Sequence, residues 1–383
     1  MKIVLGGYIV GYPLGGMTWH HLNYILGLES LGHEVFFLED SGDWAMPYNP
    51  LKQSCEPDST YGREYLRRSF ADFGVRARWC YYSEFEDRYY GATRDELHDA
   101  LREADLLLCV SGVTPLRPQR PRPRRTAVID TDPVFTQLKL AHNAVLLDYY
   151  RSFDAVATFG RLIGSAHCPL PAHGLRWIPT NQPVALDHWP VVPNSSRAFT
   201  TIGKWEHASG RHVELAGRTY LSSKSESLLA MIELPRRVSW DMTLAIKGMP
   251  QDIEKRFIDH GWKIIDPEAA SADCQAFRRF VQSSAGEFTV VKGIYSGIPS
   301  GWFSDRGACY LASARPTVYQ DSGFERWLPT GQGVFSFTSI EQAADALNAI
   351  AADYDAHARA ARRIAEEHFD ARRVLSELLA AVM

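Results

Sequence analysis

The chain alternates strand-sized apolar runs with helix-period segments, and it does so in two blocks separated by one proline-rich linker. Lys2–Leu5 and Glu34–Leu38 are short, almost wholly apolar runs. Between them Thr18–Leu31 carries Trp19, Leu22, Ile25, Leu26 and Leu28 at helical spacing, and Gly32-His33 ends it. A run this short with no polar alternation is a strand covered on both faces. A helix joining two such strands brings the chain back parallel to itself. The opening is therefore a β-loop-α-β unit of Rossmann type. Arg78–Tyr82, Asp105–Val110, Thr126–Asp130 and Asp154–Thr158 read as further strands, with helices over Tyr61–Phe73, Arg94–Glu103 and Pro133–Tyr150. Arg176–Pro179 and Val184–Trp189 finish the block, and Pro190–Arg197 (PVVPNSSR) has linker composition. The second block offers strands at Ala198–Ile202, Trp240–Ile246, Trp262–Ile265, Phe288–Val291 and Pro316–Tyr319, with helices at Gln251–His260 and Ala272–Ser283. The tail from Ile340 to Met383 is helical almost throughout. The expected fold class is α/β, with two Rossmann-like domains at 1–190 and 191–355 and C-terminal helices over 356–383.

Composition removes several classes. A net charge of −4 gives no sign of a nucleic-acid partner. The apolar runs stay far short of the roughly 20 residues that span a bilayer, so no integral membrane contact is expected. MKIVLGG lacks the pattern of a secretory signal. The six cysteines contain no C-x-x-C pair and read as reduced thiols, so a cytoplasmic location is expected. No metal-ligand spacing is present, and no metal is expected.

Candidate chemistry concentrates at strand ends. After Phe288–Val291 comes the turn-rich stretch Ser296–Gly301, followed by Trp302, then Ser304 and Asp305, which can cap a helix carrying Ala308, Leu311 and Ala312. The strand Pro316–Tyr319 runs into a second glycine turn, Asp321-Ser322-Gly323-Phe324-Glu325. Two such loops at neighbouring strand ends collect backbone N–H groups and a helix N-terminus, which is a setting for a phosphate or diphosphate. The first loop, Gly6–Gly16, has five glycines but no G-x-G-x-x-G, so a nicotinamide or flavin is not indicated. His20 and His21 open the helix behind it, and either one can be a base or a surface cap. Asp132 follows the strand Thr126–Asp130 and can be a base or the cap of the next helix. Pro115–Arg125 (PLRPQRPRPRR) is either a docking arm for an acidic partner or a solvated loop. Ser41–Tyr61 reads as a long polar loop near the cleft. Tyr8, Tyr12, Trp19, Trp44, Tyr48 and Trp302 supply aromatic surface for stacking or for ordinary packing.

Gly15-Gly16-Met-Thr-Trp-His20, followed by Leu31-Gly32-His33-Glu34-Val35, resembles the opening of family-4-type GT-B glycosyltransferases, and RPTVYQDSGFERWLPTGQGVFSFTSIEQAADAL resembles their ending. The resemblance implies two domains facing each other across a cleft, with the last helix crossing back to the first domain. It implies a nucleotide-diphosphate sugar, most readily a UDP-sugar, as co-substrate. The donor would be held by Gly15, Gly16, Lys204, Lys224, Gly301, Trp302, Ser304, Ser322, Gly323, Phe324 and Glu325, and His20 or Asp132 would serve the acceptor hydroxyl. The acceptor would be a soluble small molecule or saccharide, and the enzyme a monomer or homodimer. The sequence departs from the family in two places. A polar insertion, Glu206–Ser223, separates the two lysines. The E-x7-E pair is absent, with Gly301 and Cys309 at its positions. Glu287, Asp305 and Glu325 are the acids near enough to substitute. A non-hydrolysing sugar-nucleotide 2-epimerase and a non-catalytic sugar-nucleotide-binding protein are the alternatives.

Overall fold

The structure, a computed structural model, describes the chain except residues 41, 43–45, 207–211 and 216–217. The first block builds a sheet in the order β10-β9-β8-β7-β1-β2-β5-β6. Its strands are β1 (Lys2–Gly6), β2 (Glu34–Glu39), β5 (Arg78–Ser83), β6 (Arg88–Gly91), β7 (Leu106–Val110), β8 (Thr126–Asp130), β9 (Ala155–Thr158) and β10 (Trp177–Pro179). A small hairpin, β3 (Tyr48–Asn49) and β4 (Ser54–Cys55), lies outside this sheet. All pairings within the sheet are parallel except β5 with β6. The second block builds a wholly parallel sheet, β15-β14-β11-β16-β17-β18, from β11 (Ala198–Lys204), β14 (Asp241–Lys247), β15 (Lys263–Ile264), β16 (Gly286–Thr289), β17 (Thr317–Gln320) and β18 (Val334–Phe337). Between β11 and β14 lies a second hairpin, β12 (His212–Leu215) with β13 (Arg218–Leu221), in the polar insertion. Two Rossmann-like units are thus present, as the alternation of runs implies.

One apolar cluster runs from the first unit into the second, joining Trp19, Trp189 and Ile25 to Phe277, Phe303 and Leu375. Trp19 is its hinge piece. Its ring meets Phe73 and Trp189, and its indole N–H donates to the Cys274 carbonyl at 2.8 Å. The terminal helix, Ala371–Val382, crosses back onto the first helix, Gly15–Ser30. Gly27 permits this approach, because a Cβ there would lie 2.6 Å from the Leu375 side chain and 2.7 Å from that of Ala371.

Several local expectations change. The segment after Pro133 is two helices, Phe135–His142 and Ala144–Arg151. Asn143 breaks it by turning its side chain to accept from the Leu146 N–H at 3.0 Å, as an N-cap does. Asp132 is not a cap, because Val134 holds that position. The hairpin β3–β4 lies within the loop expected over Ser41–Tyr61, and Trp44 falls outside the described residues. The arginine-proline stretch is no free arm. Arg117 and Arg120 close on the buried Asp40 at 2.6 and 2.5 Å, and Arg117 also reaches Glu84. An unpaired buried carboxylate is costly, so these two arginines are spent at home.

The helix Asp305–Ala312 ends with Ala314 in the left-handed region at φ +57°. Arg315 N–H bonds the Tyr310 carbonyl and Ala314 N–H the Leu311 carbonyl, which is a Schellman ending without its usual glycine. Ala314→Gly removes the left-handed penalty and should stabilise the protein by about 0.5–1 kcal/mol in urea unfolding. A loss of stability would contradict this reading of the turn.

Candidate functional site: the cleft between facing strand ends

The order of strands reverses between β1 and β7 in the first sheet and between β11 and β16 in the second. Loops leaving the carboxyl ends of strands diverge at such points and open a crevice. The two crevices face each other, and polar bonds run across the seam. Gly15 N–H donates to the Ser271 carbonyl at 2.8 Å, and Gly16 N–H to Ser271 Oγ at 3.2 Å. A Cβ on Gly15 would stand 2.2 Å from the Asp273 carbonyl oxygen, so glycine is demanded by the opposite backbone. The pair is at the cleft, but both its amides are already engaged.

The first glycine loop is also occupied. The N–H groups of Ile9, Val10 and Gly11 all converge on the Glu39 carboxylate at 2.7 Å each. Such a nest suits an anion, and here the anion is the chain's own side chain from the end of β2. Burial raises the Glu39 carboxyl to about 7, and the three amides only partly offset it.

His20 and His21 separate clearly. His21 Nδ1–H donates to the Met17 carbonyl, and its Nε2 accepts from Tyr8 N–H at 3.2 Å. Burial, and next His20, lower its imidazole to about 3, so it is neutral and structural. His20 turns toward the second unit. Its Nδ1 lies 3.1 Å from Asp305 Oδ2, in the first turn of the helix Asp305–Ala312. Burial opposes ionisation of Asp305, and the contact with His20 together with the N–H and the charge of Arg306 more than offsets it, leaving the carboxyl below its ordinary value. An ionised carboxylate only accepts, so Nδ1 carries the proton.

Asp132 also meets the opposite unit. Tyr295 donates its hydroxyl to Asp132 Oδ1, and Lys292 Nζ stands 3.9 Å from the same oxygen. Behind Asp132, the buried Asp130 accepts from Thr136, Gln137 and Thr158 at 2.7–2.9 Å. Val134, two residues after Asp132, holds φ +74° and ψ −59°, a strained γ-turn for a β-branched residue, with its N–H fixed by the Gln137 side chain at 2.6 Å. Burial raises the Tyr8 phenol, and the charges of Asp305 and Asp132 add to that rise.

Among the donor-side residues, Lys224 precedes a short helix, Ser225–Leu229. Burial, and then the nearby Arg306, push its ammonium well below the ordinary range. Among the described residues it makes no ion pair and no hydrogen bond. A Cβ on Gly203 would come within 4.0 Å of its Nζ, so that glycine leaves room for the head group. Lys204 is exposed and points over the Tyr12 ring at 6.0 Å. The two glycine loops are stitched together. Gly301 N–H donates to the Ser322 carbonyl, Ser322 Oγ to the Trp302 carbonyl, and Gly323 N–H to Asp321 Oδ1. Trp302 stacks on Tyr295 at 4.5 Å, Phe324 is core, and Ser304 caps its helix through Gly307 N–H. Of the acids that could replace the missing glutamates, Glu287 is held by Arg306 at 2.5 Å, Glu325 is exposed, and Asp305 faces His20. Cys309 is a buried, neutral thiol, raised first by burial and then by the charge of Asp305. Tyr12 and Tyr48 stack at the mouth, where Lys247 donates to the Tyr48 hydroxyl at 3.0 Å. Sequence reasoning did not single out Arg306, Tyr295, Lys292 or Glu39. The available signal for Glu39 was an acid ending a strand beside a glycine loop.

No family model matches the chain, and no curated protein sequence matches it. Solved structures do. AviGT4, a glycosyltransferase involved in avilamycin A biosynthesis, is 14% identical, with 100% of this chain and 97% of that one covered at a TM-score of 0.57. An α-glucosyltransferase solved with UDP-glucose and DNA containing an abasic site is 12% identical, covering 100% and 99% at 0.60. Sucrose-phosphate synthase from Thermosynechococcus elongatus is 12% identical, covering 100% of each chain at 0.57. The chain has the GT-B fold. Among the described residues, no group of three or more His, Cys, Asp or Glu side chains could hold a metal ion, and no helix is long and apolar enough to cross a membrane.

The Glu39 nest gives a pH test. The folded protein holds this proton to about pH 7, whereas the unfolded chain releases it near 4.5. Its contribution to stability is therefore full below about pH 4.5 and lost as pH rises through 7, a change of roughly 3 kcal/mol. In Glu39→Gln the neutral amide stands in for the protonated carboxyl, so the variant should unfold about as easily as wild type at pH 5, resist unfolding better than wild type at pH 8, and lose this part of the pH dependence. A Gln variant that matches wild type at both pH 5 and pH 8 would contradict it.

Proposed function

We propose that the chain is a glycosyltransferase that moves a sugar from a nucleotide-diphosphate sugar to a hydroxyl-type acceptor. One observation carries the reading: Lys224, with no ion pair or hydrogen bond among the described residues, lies by Gly203 near the carboxyl end of β11, with Arg306, Glu287 and Lys292 as its charged neighbours. An anion is what completes such a place. The bond to a departing diphosphate breaks with growing negative charge on oxygen, and preorganised positive groups lower that barrier. Lys224 and, at the rim, Lys204 offset that charge without calling on a metal. Residues 191–355 take the donor and residues 1–190 the acceptor, with the helices of 356–383 tying the two together. The engaged amides of Gly15 and Gly16 make them closure contacts, with donor contact arising only if the seam loosens.

UDP is the first nucleotide to test, supported by the UDP-glucose bound in the α-glucosyltransferase. That neighbour was solved with DNA, but a net charge of −4 favours a small molecule or saccharide as the acceptor here. A soluble, cytoplasmic enzyme acting as monomer or homodimer fits the composition.

Lys224→Met should separate stability from binding. Replacing a half-buried lysine that has no ion pair should not cost the ligand-free protein stability. Wild type with UDP at a hundred times its Kd should gain about 2.7 kcal/mol, and the variant should gain almost nothing. If UDP, TDP, GDP and ADP all leave the wild-type melting curve unchanged, the transferase reading falls.

A further inference from the structure

Parallel neighbours in a sheet need a crossover connection, and a helix usually supplies it and covers the sheet face. The helix Gly15–Ser30 does so between β1 and β2, and the helices Phe135–His142 and Ala144–Arg151 do so between β8 and β9. β7 and β8 are parallel neighbours too, but residues 111–125 between them form neither helix nor strand. Pro115, Pro118, Pro121 and Pro123 account for this, since each ring removes an N–H and blocks the turn before it. A coil covers less of a sheet than a helix does. Beside this one lies a pocket of about 240 Å³. Its walls include Leu38 and Leu107 of the sheet, Leu101 of the helix Arg94–Glu103, and Leu116 and Arg120 of the coil.

Arg120 gives the pocket a polar end. Its side chain is 5% exposed, and all three guanidinium nitrogens are buried. Nη1 stands 2.5 Å from Asp40 Oδ2, and the group lies over the Tyr82 ring at 5.2 Å. Among the described residues, none of its nitrogens has a hydrogen-bond partner. Asp40 does not depend on Arg120 alone, because Arg117 grips both its oxygens, through Nε at 2.6 Å and Nη2 at 2.9 Å. A guanidinium carries five N–H donors, and burying them unmade is costly. The leucine walls offer no acceptor. A buried water needs roughly two to four polar partners, so water suits this setting poorly. The missing partner is an oxygen attached to an apolar body.

We infer that this pocket binds a small carboxylate with an apolar body, the carboxylate on Arg120 and the body on the leucines. A guanidinium fork matches a carboxylate in shape as well as charge. An apolar cavity of about 150 Å³ takes up benzene, so the space here suits a ring or a chain of about six carbons. None of these residues belongs to the cleft contacts described above, and the inference does not rest on the transferase reading.

Calorimetric titration of the full chain with sodium hexanoate tests it. Hexanoate should bind saturably at one site. Acetate has the head without the body, and hexylammonium has the body with the wrong charge, so neither should bind. Arg120→Met leaves Asp40 paired with Arg117 and should weaken hexanoate by roughly 10-fold or more, which a hydrogen bond to a charged group accounts for. Leu116→Trp fills the pocket from the coil side and should abolish binding, with a melting curve to confirm that it folds. Leu101→Phe is the second filling variant if it does not. Binding that survives a folded filling variant is not in this pocket, and binding indifferent to Arg120→Met does not use its guanidinium. Either result, or no saturable heat from hexanoate in wild type, overturns the inference.

Discussion

Polar groups caught between two parallel sheets that face each other by their carboxyl ends must find partners across the gap. The rest of the structure depends on how that demand is met. Gly15 and Gly16 give their amides to Ser271, Trp19 gives its indole N–H to Cys274, and His20 and Asp132 meet Asp305 and Tyr295. The apolar cluster that continues from Trp189 to Phe303 and Leu375 closes the same seam with buried surface. The terminal helix locks it through Gly27. Against this satisfied background, two groups stand out: Lys224, half-buried and without an ion pair or hydrogen bond among the described residues, and the fully buried, unpartnered Nε2 of His20.

Where the chain does satisfy itself, it uses side chains in places where a nucleotide-binding protein often leaves backbone groups free. Glu39 fills the nest of the first glycine loop, and Asp40 absorbs both Arg117 and Arg120. These acids close the first unit's own anion site and fold its basic connection onto the end of β2. Their effect is to leave the cation-lined part of the cleft on the second unit. That asymmetry supports donor binding on one side and acceptor binding on the other.

The sheets were legible in the sequence because each depends on local features: apolar runs of four to six residues, helix-period spacing and glycine at the ends. The helix over Arg94–Glu103 was read to the residue, since Thr93 and Glu96 form a capping box there. Less local features were not legible. The break at Asn143 comes from a side chain choosing a cap, and β6 exists because Tyr89 and Tyr90 have β5 to pair with. In the candidate site, the second glycine turn and the Ser304 cap could be read from spacing. The bonds from His20 to Asp305 and from Asp132 to Tyr295 join residues 285 and 163 positions apart, and no spacing rule reaches that far. The role of Gly15 was misleading for the same reason: its lack of a Cβ answers the Asp273 carbonyl, which only the folded chain brings there.

The most direct test of the central claim is a crystal structure of the chain soaked with UDP. The account predicts the diphosphate in the cleft, within hydrogen-bond reach of Lys224 Nζ and close to the helix start at Ser304–Asp305. UDP bound elsewhere, with Lys224 still unpartnered, would contradict it.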